Sequence, residues 1–186
     1  VFAFPGSNGA AADVRIFTPD SELPLAGHPV LGCAFVLQRQ QALPANFVLN
    51  TRAKPVYLHG EQGMMTFSIS GHTLTASSAN QAMVAAATGL DETQLVEAAY
   101  WLNSGSPQLL QQVQNPAALQ SARVDYSRLH DICQADGQRT VLYLWCEEGD
   151  TVYARLFFAQ DGALLEDCGT GSACANLGAY FIERGR

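Results

Sequence analysis

The stretch LEDCGTGSACANLGAY (165–180) carries the residue types most suited to chemistry in this sequence. Asp167 and Cys168 can give up or take a proton, and they precede a run that is apolar at helical spacing. A phosphate-binding loop would need a lysine after GTGSA, and a dinucleotide-binding loop would need glycine at Cys174. A nucleophile elbow would need glycines where Thr170 and Cys174 stand. The pattern therefore favours proton transfer over phosphate binding.

A second stretch, AGHPVLGCAF (26–35), resembles CGTGSACANL (168–177), and in this alignment Gly27 meets Gly169. Upstream of each stretch a similar strand, VRIF or ARLF, leads through a short acidic turn into the loop. Strand, acidic turn, glycine and apolar helix thus occur twice. The repeat predicts two similar domains, each with a helix inside a sheet.

The two helix starts could bind an anion. The first N–H groups of a helix lack intrahelical partners and carry partial positive charge. Gly27, Gly169 and Gly171 leave these donors open to approach, because glycine has no side chain. Two such starts facing across a cleft would hold a small carboxylate and stabilise negative charge on the adjacent carbon. His28 and Asp167 lie beside the two starts and are the residues predicted to handle the proton.

The elements that would position these residues follow from the residue pattern. Short alternating runs predict strands through most of the first half. Residues 28–41 are apolar almost all round, which predicts a buried central helix with Pro29 in its first turn. Alternation gives way to helix near Ala79, so we expect domains at 1–79 and 80–186. A second central helix is expected to start near residue 171.

The middle of the chain predicts four further helices, NQAMVAAATG, DETQLVEAA beginning at Asp91, NPAALQSA and DYSRLHDICQA. Strands are predicted at AAYWLNS, PQLLQQV, TVLYLWCEE and TVYARLFF.

Composition excludes several functions. The net charge of −7 argues against binding a nucleic-acid backbone. The apolar runs are far shorter than the roughly 20 residues of a membrane span. The cysteine number is odd and the spacing irregular, which favours a reducing, cytoplasmic location, and the absence of CxxC or HxxxH pairs argues against a metal site. The five cysteines are Cys33, Cys133, Cys146, Cys168 and Cys174.

Two motifs, RIFTPDSELPLAGHPVLGCAFVL (15–37) and EDCGTGSACANLGAY (166–180), resemble the PhzF-like phenazine-biosynthesis proteins of the diaminopimelate epimerase fold superfamily. The resemblance implies an α+β fold of two pseudo-symmetric β-barrel-like halves, each enclosing a central helix, with the active site in the cleft between them. It implies a cofactor-free isomerase of a small carboxylate-bearing metabolite, typically a homodimer.

Carried over by this resemblance, the family's catalytic histidine falls on His28, its aspartate on Asp167, and the glycine whose N–H points into the site on Gly27. The family's catalytic glutamate would precede Val1 and its closing strands would follow the second central helix, so the chain is expected to be a segment of a longer protein.

The resemblance also assigns substrate contacts. The TGS helix start falls on Thr170, Gly171 and Ser172, and the segment that touches substrate from the second half falls on Asn103 and Ser104.

Two alternatives stay open. Related racemases and epimerases use two cysteines, one before each glycine of the repeat. Here Cys168 occupies one position, beside a helix start that is typical of reactive thiols, but Ala26 occupies the other. A cysteine-dependent amino-acid or hydroxy-acid racemase using Cys168 is therefore the first alternative, and a non-catalytic small-acid binding protein is the second. Pyridoxal chemistry is disfavoured because Lys54, the only lysine, lies in a poor position between two strands.

Overall fold

The computed structural model describes residues 1–18 and 22–186. Pro19, Asp20 and Ser21, which hold the acidic turn predicted for the first half, lie outside the described residues. The chain forms two compact units, Val1–Gly71 (unit 1) and His72–Arg186 (unit 2).

Unit 1 is a six-stranded sheet with one long helix. The sheet order is β1-β2-β4-β5-β6, and β3 pairs with β2. Strands β2 and β4 are parallel, so the chain crosses over between them through α1. The elements are β1 (Phe2–Pro5), β2 (Ala12–Phe17), β3 (Glu22–Leu23), α1 (Gly27–Gln41), β4 (Asn46–Asn50), β5 (Pro55–Glu61) and β6 (Met64–Ser68).

Helix α1 covers the sheet of unit 1 by packing on β5 and β6. Val30, Ala34 and Leu37 are buried and recur at helical spacing, which gives the helix one core-facing stripe. Val36 is 48% exposed, so the helix is not buried on every face as its composition predicted. The helix ends at Ala42, whose φ of 50° is left-handed.

Unit 2 is a six-stranded sheet in the order β12-β11-β10-β9-β8-β7. Strands β9 and β10 are parallel, and two helices form the crossover between them. The elements are β7 (Thr73–Ala76), α2 (Gln81–Thr88), a one-turn 3-10 helix (Glu92–Gln94), β8 (Tyr100–Asn103), β9 (Gln108–Gln112), α3 (Pro116–Ser121), α4 (Tyr126–Ala135), β10 (Val141–Glu148), β11 (Thr151–Gln160), β12 (Ala163–Asp167) and α5 (Gly171–Glu183).

Helix α5 packs on β8 and β9 of unit 2. Ala173 and Leu177 are buried in the apolar cluster of this unit. Trp145 of β10 meets the rings of Tyr180 and Phe181 edge-on, with centroids 5.6 and 5.5 Å away. The predicted α+β architecture of two halves, each with a helix against a sheet, is confirmed.

Two further expectations differ from the structure. The division lies after Gly71 and not near Ala79, because β7 pairs with β8 and so belongs to the second sheet. The helix predicted from Asp91 is only a single 3-10 turn. Leu95 leaves that turn to bridge to Val113 and is buried, so strand pairing overrides the local helical preference.

None of the helices in the described parts of the chain has both the length and the apolar character needed to cross a lipid bilayer.

Candidate active site

The first candidate group lies at the start of α1 in unit 1. Ala26, in extended conformation, precedes the helix, and among the described residues no side chain caps the N–H groups of its first turn. Pro29 has no N–H, so Gly27 and His28 supply the donors of this turn. A Cβ at Gly27 would lie 3.6 Å from Phe67, an ordinary contact. Packing within unit 1 therefore does not explain the glycine, whereas access to the N–H groups does.

His28 is exposed in the first turn of α1. Its imidazole has no hydrogen-bond partner in the part of the chain that the structure describes, and it does not contribute to the apolar cluster of unit 1. The side chain is thus available for contact with a ligand.

The second candidate group lies in unit 2, where β12 ends and α5 begins. Asp167 is the last residue of β12, and its Oδ1 accepts a hydrogen bond of 3.1 Å from the N–H of Gly169. Its Oδ2 accepts a bond of 2.6 Å from the hydroxyl of Thr170. Asp167 therefore organises the loop that leads into α5, and the predicted neighbours Asp167, Gly169 and Thr170 do come together.

The start of α5 keeps its backbone donors open. Cys174 is the first residue whose N–H bonds back into the helix, to the carbonyl of Thr170 at 3.2 Å. The N–H groups of Gly171, Ser172 and Ala173 precede that first bond. A Cβ at Gly171 would meet nothing within 4 Å. The N–H groups of Gly171 and Ser172 and the positive end of the helix dipole are therefore accessible, whereas Ala173 is buried.

Helices α2, α3 and α4 differ from α1 and α5 at their N-termini. Each of the three has a side-chain oxygen that accepts a hydrogen bond from a first-turn N–H, whereas neither α1 nor α5 has such a cap in the described residues. The capping residues are Asn80, Asn115 and Asp125. The uncapped starts are the two that the repeat predicted as anion sites.

Matched ion pairs hold the strands that lead into both helices. Arg15 donates two bonds of 2.9 Å to Glu22, and Arg155 donates two bonds of 2.8 Å to Glu166. The Arg15 guanidinium, helped by Arg52, lowers the pKa of Glu22 to about 2 against the opposing effect of burial. The Arg155 guanidinium likewise lowers the pKa of Glu166.

These pairs correct the alignment of the repeat. Phe17 pairs with Glu22 across β2 and β3, and Phe157 pairs with Glu166 across β11 and β12. Three residues then lead into each helix, so Gly27 corresponds to Gly171 and not to Gly169. Because the longer hairpin between β11 and β12 shifts the register, sequence alignment alone placed the match incorrectly.

The corrected alignment also changes the counterpart of Cys168, which becomes Pro24 instead of Ala26. Neither residue is a thiol. Cys168 itself is exposed beside the start of α5. A pair of thiols at equivalent positions of the two repeats is therefore excluded under either alignment.

The segment Asn103–Ser106 approaches α5 through Asn176. The N–H of Ser104 donates to Oδ1 of Asn176 at 2.8 Å, and Nδ2 of Asn176 donates to the carbonyl of Ser106 at 2.9 Å. Ser104 is 7% exposed, and its hydroxyl has no partner in the described residues. Ser104 is thus brought to α5.

Asn103 has different surroundings from Ser104. It is exposed, and its Oδ1 accepts a bond of 2.9 Å from the N–H of Gly105. It lines a cavity of about 190 Å³ together with Trp101 and Asp136. The two adjacent residues that the resemblance assigns to substrate therefore do not share one environment.

Sequence reasoning missed two buried amides beside the start of α5. Gln108 on β9 and Asn176 on α5 are each 1% exposed. Oε1 of Gln108 accepts a bond of 2.8 Å from Asn176, and Nε2 of Gln108 donates a bond of 3.0 Å to the hydroxyl of Ser172. No spacing pattern distinguishes them from the other amide side chains of the sequence. A polar residue at a core-facing position was the only available signal.

No group of three or more His, Cys, Asp or Glu side chains in residues 1–18 and 22–186 is arranged to hold a metal ion. The histidines other than His28 all have hydrogen-bond partners: His59 with Asn46, His72 with Glu183, and His130 with Thr140.

Comparison with known proteins extends the similarity along the whole chain. The uncharacterized isomerase PM1503 of Pasteurella multocida (strain Pm70) is 38% identical over 179 residues, which is 96% of this chain and 60% of that protein. The trans-2,3-dihydro-3-hydroxyanthranilate isomerase of Pseudomonas fluorescens is 25% identical over 201 residues, which is 100% of this chain and 65% of that protein. The chain thus spans between 60% and 65% of the length of these two relatives.

Solved structures share the fold. A predicted epimerase from Pseudomonas aeruginosa superposes with a TM-score of 0.76 at 26% identity, covering 99% of this chain and 66% of that one. A PhzF-family phenazine biosynthesis protein from Bacillus anthracis gives a TM-score of 0.78 at 20% identity, covering 94% of this chain and 62% of that one. The model of the phenazine biosynthesis-like proteins matches residues 1–186, and the chain belongs to this family, PhzC-PhzF.

Proposed function

We propose that the protein is an isomerase that moves a proton between carbons of a small carboxylate-bearing metabolite without a cofactor. The observation that carries the proposal is the start of α5. There the fixed carboxylate of Asp167 lies beside a helix N-terminus whose first N–H groups have no side-chain cap among the described residues. A base next to anion-binding donors is the arrangement that abstraction of a proton beside an activating group requires.

The reaction needs no oxidant or reductant. A base removes a proton from carbon, and the electron pair of the broken C–H bond forms a new double bond conjugated with the activating group. An acid then returns a proton to another carbon of the conjugated system, and the double bond shifts accordingly. The N–H groups of Gly171 and Ser172 stabilise the negative charge that develops between the two steps.

Asp167 is the group in unit 2 that we assign to proton transfer. Its hydrogen bonds with Gly169 and Thr170 fix the direction of its carboxyl group. His28 is the group that we assign in unit 1, because its imidazole is exposed beside the N–H groups of α1. Gly27, Ser104 and Ser172 are assigned to substrate binding, and Thr170 is assigned to holding Asp167 in place.

A first substrate to test is trans-2,3-dihydro-3-hydroxyanthranilate, because the relative from Pseudomonas fluorescens is named for its isomerisation. The intact protein is incubated with this compound in deuterium oxide after dialysis against a chelator. We expect isomerised product that carries deuterium on carbon. Binding without deuterium incorporation, for this compound and for other small unsaturated carboxylates, would instead indicate the non-catalytic binding protein.

A cysteine-dependent racemase is the second candidate, because Cys168 is exposed beside the same helix start. Replacement of Cys168 by alanine separates the two functions. A proton-transfer isomerase that uses Asp167 and His28 keeps most of its turnover in this variant, whereas a thiol-dependent racemase loses it.

The resemblance further leads us to propose a homodimer that acts in the cytoplasm. Sedimentation of the intact protein tests the dimer, and fractionation of cells tests the location.

A further inference from the structure

Asn176 and Gln108 form a chain of hydrogen-bonded side-chain amides. At each bond of this amide chain, the donor and the acceptor atom can be deduced. The chain begins at the backbone of the Ser104–Ser106 segment. A backbone N–H can only donate, so the bond of 2.8 Å from Ser104 must end on Oδ1 of Asn176. A carbonyl can only accept, so the bond of 2.9 Å to Ser106 must come from Nδ2. The backbone therefore fixes the orientation of the Asn176 amide.

The orientation of Asn176 fixes that of Gln108. The second proton on Nδ2 of Asn176 is donated to Gln108 at 2.8 Å, so this atom of Gln108 is the carbonyl oxygen Oε1. Nε2 then lies on the other side, 3.0 Å from the hydroxyl of Ser172. Both amides are 1% exposed, so water does not compete for these bonds.

The last step concerns the proton of Ser172. An amide N–H cannot accept, so Oγ of Ser172 must accept from Gln108 and cannot return its own proton to it. No described residue accepts a hydrogen bond from this hydroxyl, and Ser172 is half-buried at the second position of α5. Its proton is therefore left for a group that approaches the start of the helix.

We infer that Gln108 and Asn176 are positioning residues which keep the Ser172 hydroxyl as a hydrogen-bond donor toward a bound carboxylate. The inference rests on the proposed function and deepens it. The exposed N–H groups of the first turn attract an anion of any kind. The amide chain adds a hydroxyl donor whose direction is set by the backbone of Ser104 and Ser106, which lie 72 and 70 residues before Asn176 in sequence.

The test reverses the donor and acceptor roles at the hydrogen bond between residue 108 and Ser172. In Gln108→Glu, a carboxylate replaces the amide with almost the same shape. One oxygen still accepts from Asn176, but the other now accepts the proton of Ser172, so the hydroxyl no longer donates to substrate. We expect the KM of the intact enzyme to rise about tenfold or more, with kcat within about threefold, because a charge-assisted hydrogen bond to substrate is lost.

Gln111→Glu is the matched control. Gln111 lies on the same strand and is fully buried, and its Nε2 donates to the carbonyls of Glu97 and Gln112 and not to α5. This variant also buries a carboxylate in unit 2, but we expect KM to stay within about twofold of the wild type, because the Ser172 bond is intact. An equal rise in KM would show a general effect of buried charge and would overturn the inference.

A double-mutant cycle with Ser172→Ala tests whether Gln108 acts through the hydroxyl. With Ser172 already replaced, we expect Gln108→Glu to change KM by less than about twofold. A full additional loss would overturn the inference. Should the Glu variant fail to fold, Gln108→Met removes the donor without adding charge, frees the hydroxyl to rotate, and should raise KM about threefold in the same Ser172-dependent way.

A binding measurement separates this inference from the proposed function. If the wild type isomerises no carboxylate, the proposed function fails, while titration of the intact protein with benzoate still tests the hydroxyl. The expected result is a shift of the backbone amide resonances of Ser172 and Ala173 that weakens in Gln108→Glu but not in Gln111→Glu. Absence of any shift in the wild type, or equal shifts in all three proteins, would overturn the inference.

Discussion

The hydroxyl of Thr170 donates a hydrogen bond of 2.6 Å to Oδ2 of Asp167, three residues before it in the chain. The other carboxylate oxygen is held by the N–H of Gly169. Short bonds to a charged acceptor are stronger than neutral ones, so the carboxylate is both stabilised and oriented at the point where α5 begins.

Replacing Thr170 by valine should therefore reduce catalysis more than binding. The change keeps the shape of the side chain but removes the donor, so Asp167 can rotate away from its working direction. We expect kcat of the intact enzyme to fall about tenfold, while KM changes by less than about threefold. Steady-state kinetics on the substrate identified by deuterium incorporation would measure both constants.

Two further substitutions control for this effect. Thr170→Ser keeps the hydroxyl and should retain most of kcat. Thr140→Val removes a buried hydroxyl that bonds to His130, far in sequence from Asp167, and should leave kcat unchanged. A wild-type kcat in Thr170→Val, or a matching loss in Thr140→Val, would contradict the role given to Thr170.

Four of the five cysteines should divide into two classes by reactivity, whereas Cys33 is intermediate in exposure. Cys168 and Cys174 are exposed, whereas Cys133 and Cys146 are buried. Burial raises the pKa of Cys133 to about 11, so almost no thiolate is present near neutral pH. We expect iodoacetamide to modify Cys168 and Cys174 first, and Cys133 only when the protein unfolds. Peptide mass spectrometry after timed alkylation measures the order, and early labelling of Cys133 would contradict the burial described here.

The ionisation of Asp136 should make the stability of unit 2 depend on pH in the acid range. Burial opposes ionisation, but hydrogen bonds from Ser77, Ser78 and Trp101 outweigh it and lower the pKa of Asp136 from its usual 3.8 to about 2. Because the pKa is lower in the folded state, the stabilisation is complete above the unfolded value. It is lost as the pH falls through about 2.

The variant Asp136→Asn isolates this contribution. The free energy of unfolding should drop by about 1–2 kcal/mol at neutral pH, since charge-assisted hydrogen bonds are replaced by weaker ones. The difference from the wild type should shrink as the pH falls from about 4 toward 2. Urea unfolding followed by tryptophan fluorescence, to which Trp101 contributes, would measure it. A difference that does not change with pH would show that ionisation of Asp136 is not the cause.

The sequence predicted the parts of the fold that depend on local pattern. The alternating strands of unit 1, the helix from Gly27 and the helix start at Gly171 follow from apolar spacing and from glycine and proline positions. The pairing of β7 with the second sheet could not be predicted, because Thr73–Ala76 would fit the edge of either sheet equally well.

The candidate site was predictable where residues lie next to one another in sequence. Asp167, Gly169 and Thr170 were all singled out as candidates from one short stretch, and they interact within a single loop. Gln108 and Asn176 could not be found in this way. Their partners lie far along the chain. The hydrogen bonds of these buried amides form only when strand β9 and helix α5 pack together.

The bonds of Asn176 to Ser104 and Ser106 also bear on how the polypeptide is made. Helix α5 follows every strand of unit 2 in the chain, so the ribosome delivers it after the sheet that it must complete. Until then the backbone of the Ser104–Ser106 segment and the side chain of Gln108 lack their native partners. We therefore expect the nascent second unit to stay open to solvent and chaperones until α5 emerges, whereas the helix of unit 1 is synthesised before half of its strands.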